Sequence, residues 1–163
     1  GIMRPPPPLQ PSAQPLPPAH EGGKGDWNAG GQVVARYLKD RFKLDGFRFD
    51  NGSGLFGKTA FSARDFITIL RGMDALKPPK PEYLSSFAVS GVDGTLKKRF
   101  KSFPVGAIRA KTGTLSGVVC LSGFLYTKDG RTLVFSILMN KLKGKAWSFW
   151  PIHEKILSVV GGY

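Results

Sequence analysis

Residues 107–140 read AIRAKTGTLSGVVCLSGFLYTKDGRTLVFSILMN. Three apolar runs of strand length, AIRAKTGTL, VVCLSGFLYT and RTLVFSILMN, are separated by two short polar joints, Ser116-Gly117 and Lys128-Asp129-Gly130. Glycine in so short a joint supplies the backbone reversal a hairpin needs, so the run predicts two tight antiparallel hairpins. The first strand differs from the other two. Its middle carries Lys111-Thr112-Gly113-Thr114, placing a cation and two hydroxyls where a core strand would have apolar side chains.

A lysine beside a threonine on a rigid strand is a fixed cation next to a hydroxyl donor. That pair suits the anionic tail of a substrate, and the cation raises the acidity of any hydroxyl it touches. Gly113 has no Cβ, so a second backbone can approach closely there. The strand's own N–H groups can pair an extended peptide or donate to an oxyanion. On the tripeptide alone, an ordinary edge strand with a polar start is the better explanation, because KTG is short.

Outward from the strands, AWSFWPIHEKILSVV predicts a helix after Pro151. Its expected sheet-packing face is Trp147, Phe149, Trp150, Ile152, Ile156, Leu157 and Val160, with His153 partly exposed. Toward the N-terminus, Asp26 is placed to cap a helix over WNAGGQVVARYLKDRF, where Val33, Val34, Tyr37, Leu38 and Phe42 recur at helical spacing and Gly46 closes the unit. FRFDNGSGLFG then alternates briefly and breaks into a glycine-rich turn. Ser62-Ala63-Arg64-Asp65 has the form of a capping box, with Asp for the usual Glu, ahead of a helix over FITILRGMDAL. Pro78, Pro79 and Pro81 stop that helix and restart a short helical piece, PEYLSSFA; GVDGTL reads as a turn.

Residues 1–25 hold most of the prolines and several glycines, which predicts an extended linker or surface insertion before a folded unit over residues 26–163. His20 lies in that tract with no second ligand nearby. At 163 residues and 41% hydrophobic content, the chain is long enough for one ordinary domain with a core. No apolar run approaches the roughly 20 residues of a membrane helix. Gly1-Ile2-Met3-Arg4 runs straight into prolines, without the pattern of a secretory leader. The formal charge is +13, from 24 Lys+Arg against 11 Asp+Glu, which favours polyanionic surroundings: nucleic acid, anionic lipid or an acidic polymer such as cell wall. Its densest tracts, LKKRFK and KLKGK, are separate, which fits two basic loops better than a nucleic-acid groove. Cys120, the one cysteine, sits among apolar residues as a small core side chain and rules out an internal disulfide.

The wider pattern carries more than the tripeptide. SGVDGTLKKRF, then AIRAKTGTLSGVVCLSGFL, then DGRTLVFSILMN closely resembles the C-terminal part of the S13 family of D-alanyl-D-alanine carboxypeptidases/endopeptidases, the class C low-molecular-mass penicillin-binding proteins. FDNGSGLFGKTAFSARDFITILRGM is similar to that family's DGSGLS segment and following helix, and DWNAGGQVVARYL to its tryptophan-containing helix. The resemblance implies an α+β, penicillin-recognising fold (serine β-lactamase/DD-peptidase-like) of which this chain is the C-terminal part. It implies an acyl-serine enzyme that acts on peptidoglycan stem peptides, binds β-lactams, works in the periplasm or outside the cell, and needs no metal or organic cofactor.

Three motifs meet at such a site: S-x-x-K, an S-x-N type and K-T-G. No serine of this chain is followed three residues later by lysine, and none heads an S-x-N. Only the third motif is present. The resemblance therefore implies that the nucleophile is brought by a missing N-terminal part, on the same polypeptide or on a separate chain, and that this piece alone is inactive. It also implies an unpaired strand edge where the earlier strands would dock.

By the same resemblance, Lys111 would polarise the second-motif serine and attract the substrate carboxylate. Thr112 and Thr114 would donate hydroxyl bonds to it, and the Thr114 N–H would form half of the oxyanion hole. Gly113 would keep the strand open and Leu115 would touch the substrate side chain. Ser53, Gly54 and Leu55 would line the rim. Ser53 itself is a poor nucleophile candidate, since NGSGL departs from G-x-S-x-G at both ends and reads as a turn. The alternative to an enzyme is a non-catalytic module that binds peptidoglycan or another polyanion.

Overall fold

The computed structural model describes residues 27–55, 57–75 and 81–163. The linker over residues 1–25 and the Asp26 cap lie outside the described residues, as do Pro78 and Pro79. The order of elements is α1 (Trp27–Phe42), α2 (Ala63–Asp74), α3 (Pro81–Ser85), β1 (Ala88–Val89), β2 (Ile108–Leu115), β3 (Val118–Tyr126), β4 (Thr132–Met139) and α4 (Trp150–Gly161). Single 3₁₀ turns occupy Gly94–Leu96 and Ala146–Phe149.

The four strands form one antiparallel sheet in the order β1-β2-β3-β4. Both hairpins sit where the joints require them. Gly117 takes φ +70° in the first and Gly130 φ +82° in the second. The second joint is bolted further by the Thr127 N–H on the Arg131 carbonyl (2.8 Å) and the Arg131 N–H on the Thr127 hydroxyl (2.9 Å).

Register decides which side chains share a face. Ile108 pairs with Leu125, Ala110 with Gly123 and Thr112 with Leu121; Leu125, Gly123 and Leu121 pair in turn with Leu133, Phe135 and Ile137. With a side-chain period of two, those residues form one surface. It builds the main core with Leu96, Phe100, Phe103 and Leu157. Gly123 is needed at its place: a Cβ there would lie 2.1 Å from the Arg109 carbonyl oxygen. The opposite face carries Arg109, Lys111 and Gly113. A smaller cluster of Leu38, Phe42 and Leu44, with Phe47, Phe61, Ile69 and Met73, joins α1 to α2. Ser62 caps α2 as the sequence predicts, its hydroxyl accepting from the Asp65 N–H at 3.2 Å while Asp65 accepts from the Ser62 N–H at 2.7 Å.

Two details differ from the sequence reading. The helix at Pro81 ends at Ser85, and Ala88–Val89 pairs with β2 instead of continuing it. Phe87 leaves the helix to pack edge-on against buried Phe124, 5.7 Å between ring centroids. Second, the buried stripe of α4 is His153, Leu157 and Gly161, spaced by four, so of the expected face only Leu157 is fully buried. Ile152, Ile156, Val160 and Trp147 are exposed, and His153 is 0% exposed. Gly161 sets this rotation, since it admits the Tyr163 ring to 2.9 Å and Leu125 to 3.4 Å of where a Cβ would stand. α1 spans Trp27–Phe42 as the sequence predicts, and Lys43 takes the left-handed conformation (φ 55°) directly after it. Among the described residues, no strand pairs with the outer edge of β4, and no helix is long and apolar enough to cross a membrane.

Candidate active-site strand

β1 covers only the first part of β2, ending opposite Ala110. Ile108 points its backbone toward β1: its carbonyl accepts from the Ser90 N–H (2.9 Å) and its N–H donates to the Ser90 hydroxyl (3.1 Å). Backbone polar groups alternate between the two edges of a strand, so Ala110, Thr112 and Thr114 point theirs the same way. Beyond Ala110 no described strand receives them. Thr112 and Thr114 therefore offer N–H and C=O groups to an open edge, while Gly113 bonds inward to β3 opposite Cys120.

Lys111 is exposed, and its ammonium swings to that open edge to donate to the Thr112 carbonyl at 2.8 Å. Among the described residues it makes no ion pair. The Thr112 hydroxyl donates to the Thr95 hydroxyl at 3.0 Å. Thr95 was not singled out in the sequence; its signal was only the turn-forming GVDGTL around it. Thr114 and Leu115 are exposed at the hairpin end. One strand thus carries a cation on one face and two hydroxyls on the other, with the Lys111 ammonium and outward backbone groups meeting at the open edge. Cys120, behind Gly113, is half-buried and burial pushes its thiol pKa up, so it is a poor nucleophile.

Ser53, Gly54 and Leu55 lie apart, in the connection between α1 and α2. Buried Asn51 organises that loop: its side-chain oxygen accepts from the Ser53 hydroxyl (2.6 Å) and the Ser53 N–H (3.0 Å). The Ser53 oxygen in turn accepts from the Leu55 N–H at 3.2 Å. The hydroxyl is committed to a turn, with no base on it among the described residues. Gly54 sits at φ +69° and Leu55 is 71% exposed. No hydrogen bond joins this loop to β2 among the described residues. Asp50 anchors the loop's far end, and its bonds from the Lys58 N–H and Arg48 side chain hold its carboxyl below the usual range.

Solved structures with the same architecture include a penicillin-binding protein and predatory endopeptidases. Penicillin-binding protein 4 of Haemophilus influenzae, solved with a β-lactam, superposes with a TM-score of 0.73 over 85% of this chain and 34% of its own, at 23% identity. A predatory endopeptidase of Bdellovibrio bacteriovorus gives 0.62 over 83% of this chain and 38% of its own, at 22% identity. The fold is therefore α+β and DD-peptidase-like, as the resemblance implied. Residues 19–148 match the D-Ala-D-Ala carboxypeptidase 3 (S13) family, and the chain belongs to that family. It is 34% identical over 131 residues to a D-alanyl-D-alanine carboxypeptidase of an Actinomadura species, covering 76% of this chain and 24% of that protein. A D-alanyl-D-alanine carboxypeptidase of Haemophilus influenzae is 32% identical over 117 residues, covering 67% and 24%. The chain spans about a quarter of the length of these curated relatives.

Proposed function

We propose that this chain is the carboxylate-holding portion of a serine-type D-alanyl-D-alanine carboxypeptidase/endopeptidase that acts on peptidoglycan stem peptides and binds β-lactams. The observation that carries the reading is the open edge of β2, where the Lys111 ammonium and the backbone of Thr112 and Thr114 face the same side.

The stem peptide lies along that edge as an added strand. Its terminal carboxylate is held by Lys111 and the hydroxyls of Thr112 and Thr114. The carbonyl between the two D-alanines is attacked by a serine oxygen, whose proton passes to the lysine of an S-x-x-K motif. Negative charge then builds on the carbonyl oxygen, and the Thr114 N–H with the nucleophile's own N–H receives it. Collapse expels D-alanine with the returned proton, and water hydrolyses the acyl-serine. An oxyanion donor of this kind contributes about a hundredfold or more in rate. Gly113 leaves room for the peptide backbone, Leu115 contacts the side chain, and Ser53, Gly54 and Leu55 form the rim. Both the S-x-x-K serine and the S-x-N motif come from outside these 163 residues. Site and substrate belong to the periplasm or the cell exterior, and the net charge of +13 concentrates an acidic wall polymer there.

Fluorescent penicillin tests this. The chain combined with a polypeptide carrying S-x-x-K and S-x-N is expected to become labelled, with the adduct on the S-x-x-K serine, while the chain alone stays unlabelled. Absence of label from the combination would instead favour a non-catalytic wall-binding module.

A further inference from the structure

A cavity of about 470 Å³ opens between the Gly94–Leu96 turn and the start of α4, with Lys97, Lys98, Arg99, Trp147, Trp150 and Glu154 in its walls. Three cations there face one carboxylate. Arg99 is only 6% exposed, and its guanidinium lies 5.0 Å from the ring centroids of both Phe100 and Trp150. Rings cover the faces of that plane, so its hydrogen-bonding capacity remains at the edges. There the demand is not met. Nη2 reaches only the His153 Nδ1 at 3.5 Å, and Nε has no hydrogen-bond partner. Glu154 forms a long ion pair with Arg99, its oxygen 3.8 Å from Nε and so beyond hydrogen-bond range.

Two further features favour an anion with a flat body. α4 begins at this cavity with no acidic residue in its first turn, and its dipole adds modestly to the positive field, since the Trp150 N–H is already bonded to the Trp147 carbonyl and Pro151 has none. Trp147 is 59% exposed, with the Lys145 ammonium 5.8 Å from its ring centroid. Amphipathic aromatic walls with a few polar anchors are the usual make-up of a small-ligand site, and the volume fits one.

We propose that this cavity is a second, non-catalytic site for the cell-wall polymer, taking a carboxylate carried beside a sugar ring or peptide plane. The proposal rests on the peptidoglycan reading above. Thr95, also on the cavity wall, receives the Thr112 hydroxyl bond at 3.0 Å, so the site sits directly behind the carboxylate-holding strand. Peptidoglycan presents such a group in two places: the lactyl carboxylate of a muramic acid stripped of its stem, and the free carboxylates of a neighbouring stem peptide.

Calorimetric titration of the full chain with N-acetylmuramic acid, the stem tripeptide L-alanyl-γ-D-glutamyl-L-lysine and uncharged N-acetylglucosamine separates the sources. Saturable binding of either acid, with none of N-acetylglucosamine, is expected, and whichever acid binds identifies the source. Trp147→Ala removes an exposed wall and is expected to weaken binding about three- to tenfold. Glu154→Gln removes the competing carboxylate and is expected to tighten it severalfold. Lys111→Ala is expected to leave it unchanged. No saturable binding of either acid, equal binding of N-acetylglucosamine, or indifference to both cavity variants would overturn the proposal. None of these probes is a penicillin or ends in D-Ala-D-Ala, so penicillin labelling stands or falls separately.

Discussion

The ammonium of Lys111 donates to the carbonyl oxygen of its neighbour Thr112 at 2.8 Å, on the edge of β2 that β1 leaves uncovered. A lysine folded back onto its own strand is a cation held at the peptide-docking edge instead of trailing in solvent. The bond is an exposed one, easily exchanged for a ligand carboxylate, and such an exposed pairing contributes little to stability.

Lys111→Ala is therefore expected to leave the unfolding midpoint nearly unchanged while the rate of penicillin acylation, here and below measured with the chain combined with the polypeptide carrying S-x-x-K, falls by at least about a hundredfold. Lys111→Arg restores charge but not the compact ammonium, and is expected to recover only part of the rate. Stopped-flow acylation beside denaturant titration separates the two effects. A large stability loss with intact acylation would contradict the assignment.

Alternation along β2 makes Thr114→Pro informative. Proline is tolerated where a strand's N–H faces outward and disruptive where the N–H bonds a neighbour. Thr114→Pro is expected to lose acylation by about a hundredfold or more at modest cost in stability. Gly113→Pro, whose N–H points to β3, is expected to unfold the hairpin. Circular dichroism melts paired with acylation rates check both.

Ser53 should behave as a turn residue. Ser53→Ala removes its hydroxyl bond to Asn51 and the acceptor of the Leu55 N–H, a loss of about 1 kcal/mol. Acylation is expected to persist within severalfold. Complete loss of labelling with the fold intact would return Ser53 to candidacy as nucleophile.

His153 ties stability to pH. Burial first, and the Arg99 charge second, lower its pKa from 6.5 to about 4. The unfolded chain therefore takes up the proton at higher pH than the folded one. Stability from this group is fully present above pH 6.5 and is lost as pH falls toward 4, on the order of 2–3 kcal/mol in all. Urea midpoints measured across that window are expected to fall, and His153→Gln to flatten the slope. An unchanged midpoint would show that the ring titrates normally.

The strands were legible in the sequence because each apolar run is bounded by a glycine joint, and nothing in the tertiary structure competes with that signal. α1 and the Ser62–Asp65 cap were legible for the same reason, being local. The face of α4 was not. Its hydrophobic residues are spread around the helix, and a four-residue stripe ending in Gly161 shows only once Tyr163 and Leu125 are seen against it. β1 was hidden because two residues become a strand only through their partners on β2. Of the candidate site, the Lys111–Leu115 group was legible because it is contiguous. That it lies on a strand edge was legible too, but where β1 stops along that edge was not, and Thr95 enters through a long-range bond.

The most direct measurement is the distance from the Thr114 nitrogen to the acyl carbonyl oxygen in a crystal of the chain together with its S-x-x-K-bearing part, acylated by penicillin. The account predicts a separation of about 2.7–3.1 Å, with the β-lactam carboxylate on Lys111 and Thr112. A carbonyl oxygen turned away from β2, more than about 4 Å from that nitrogen, would contradict it.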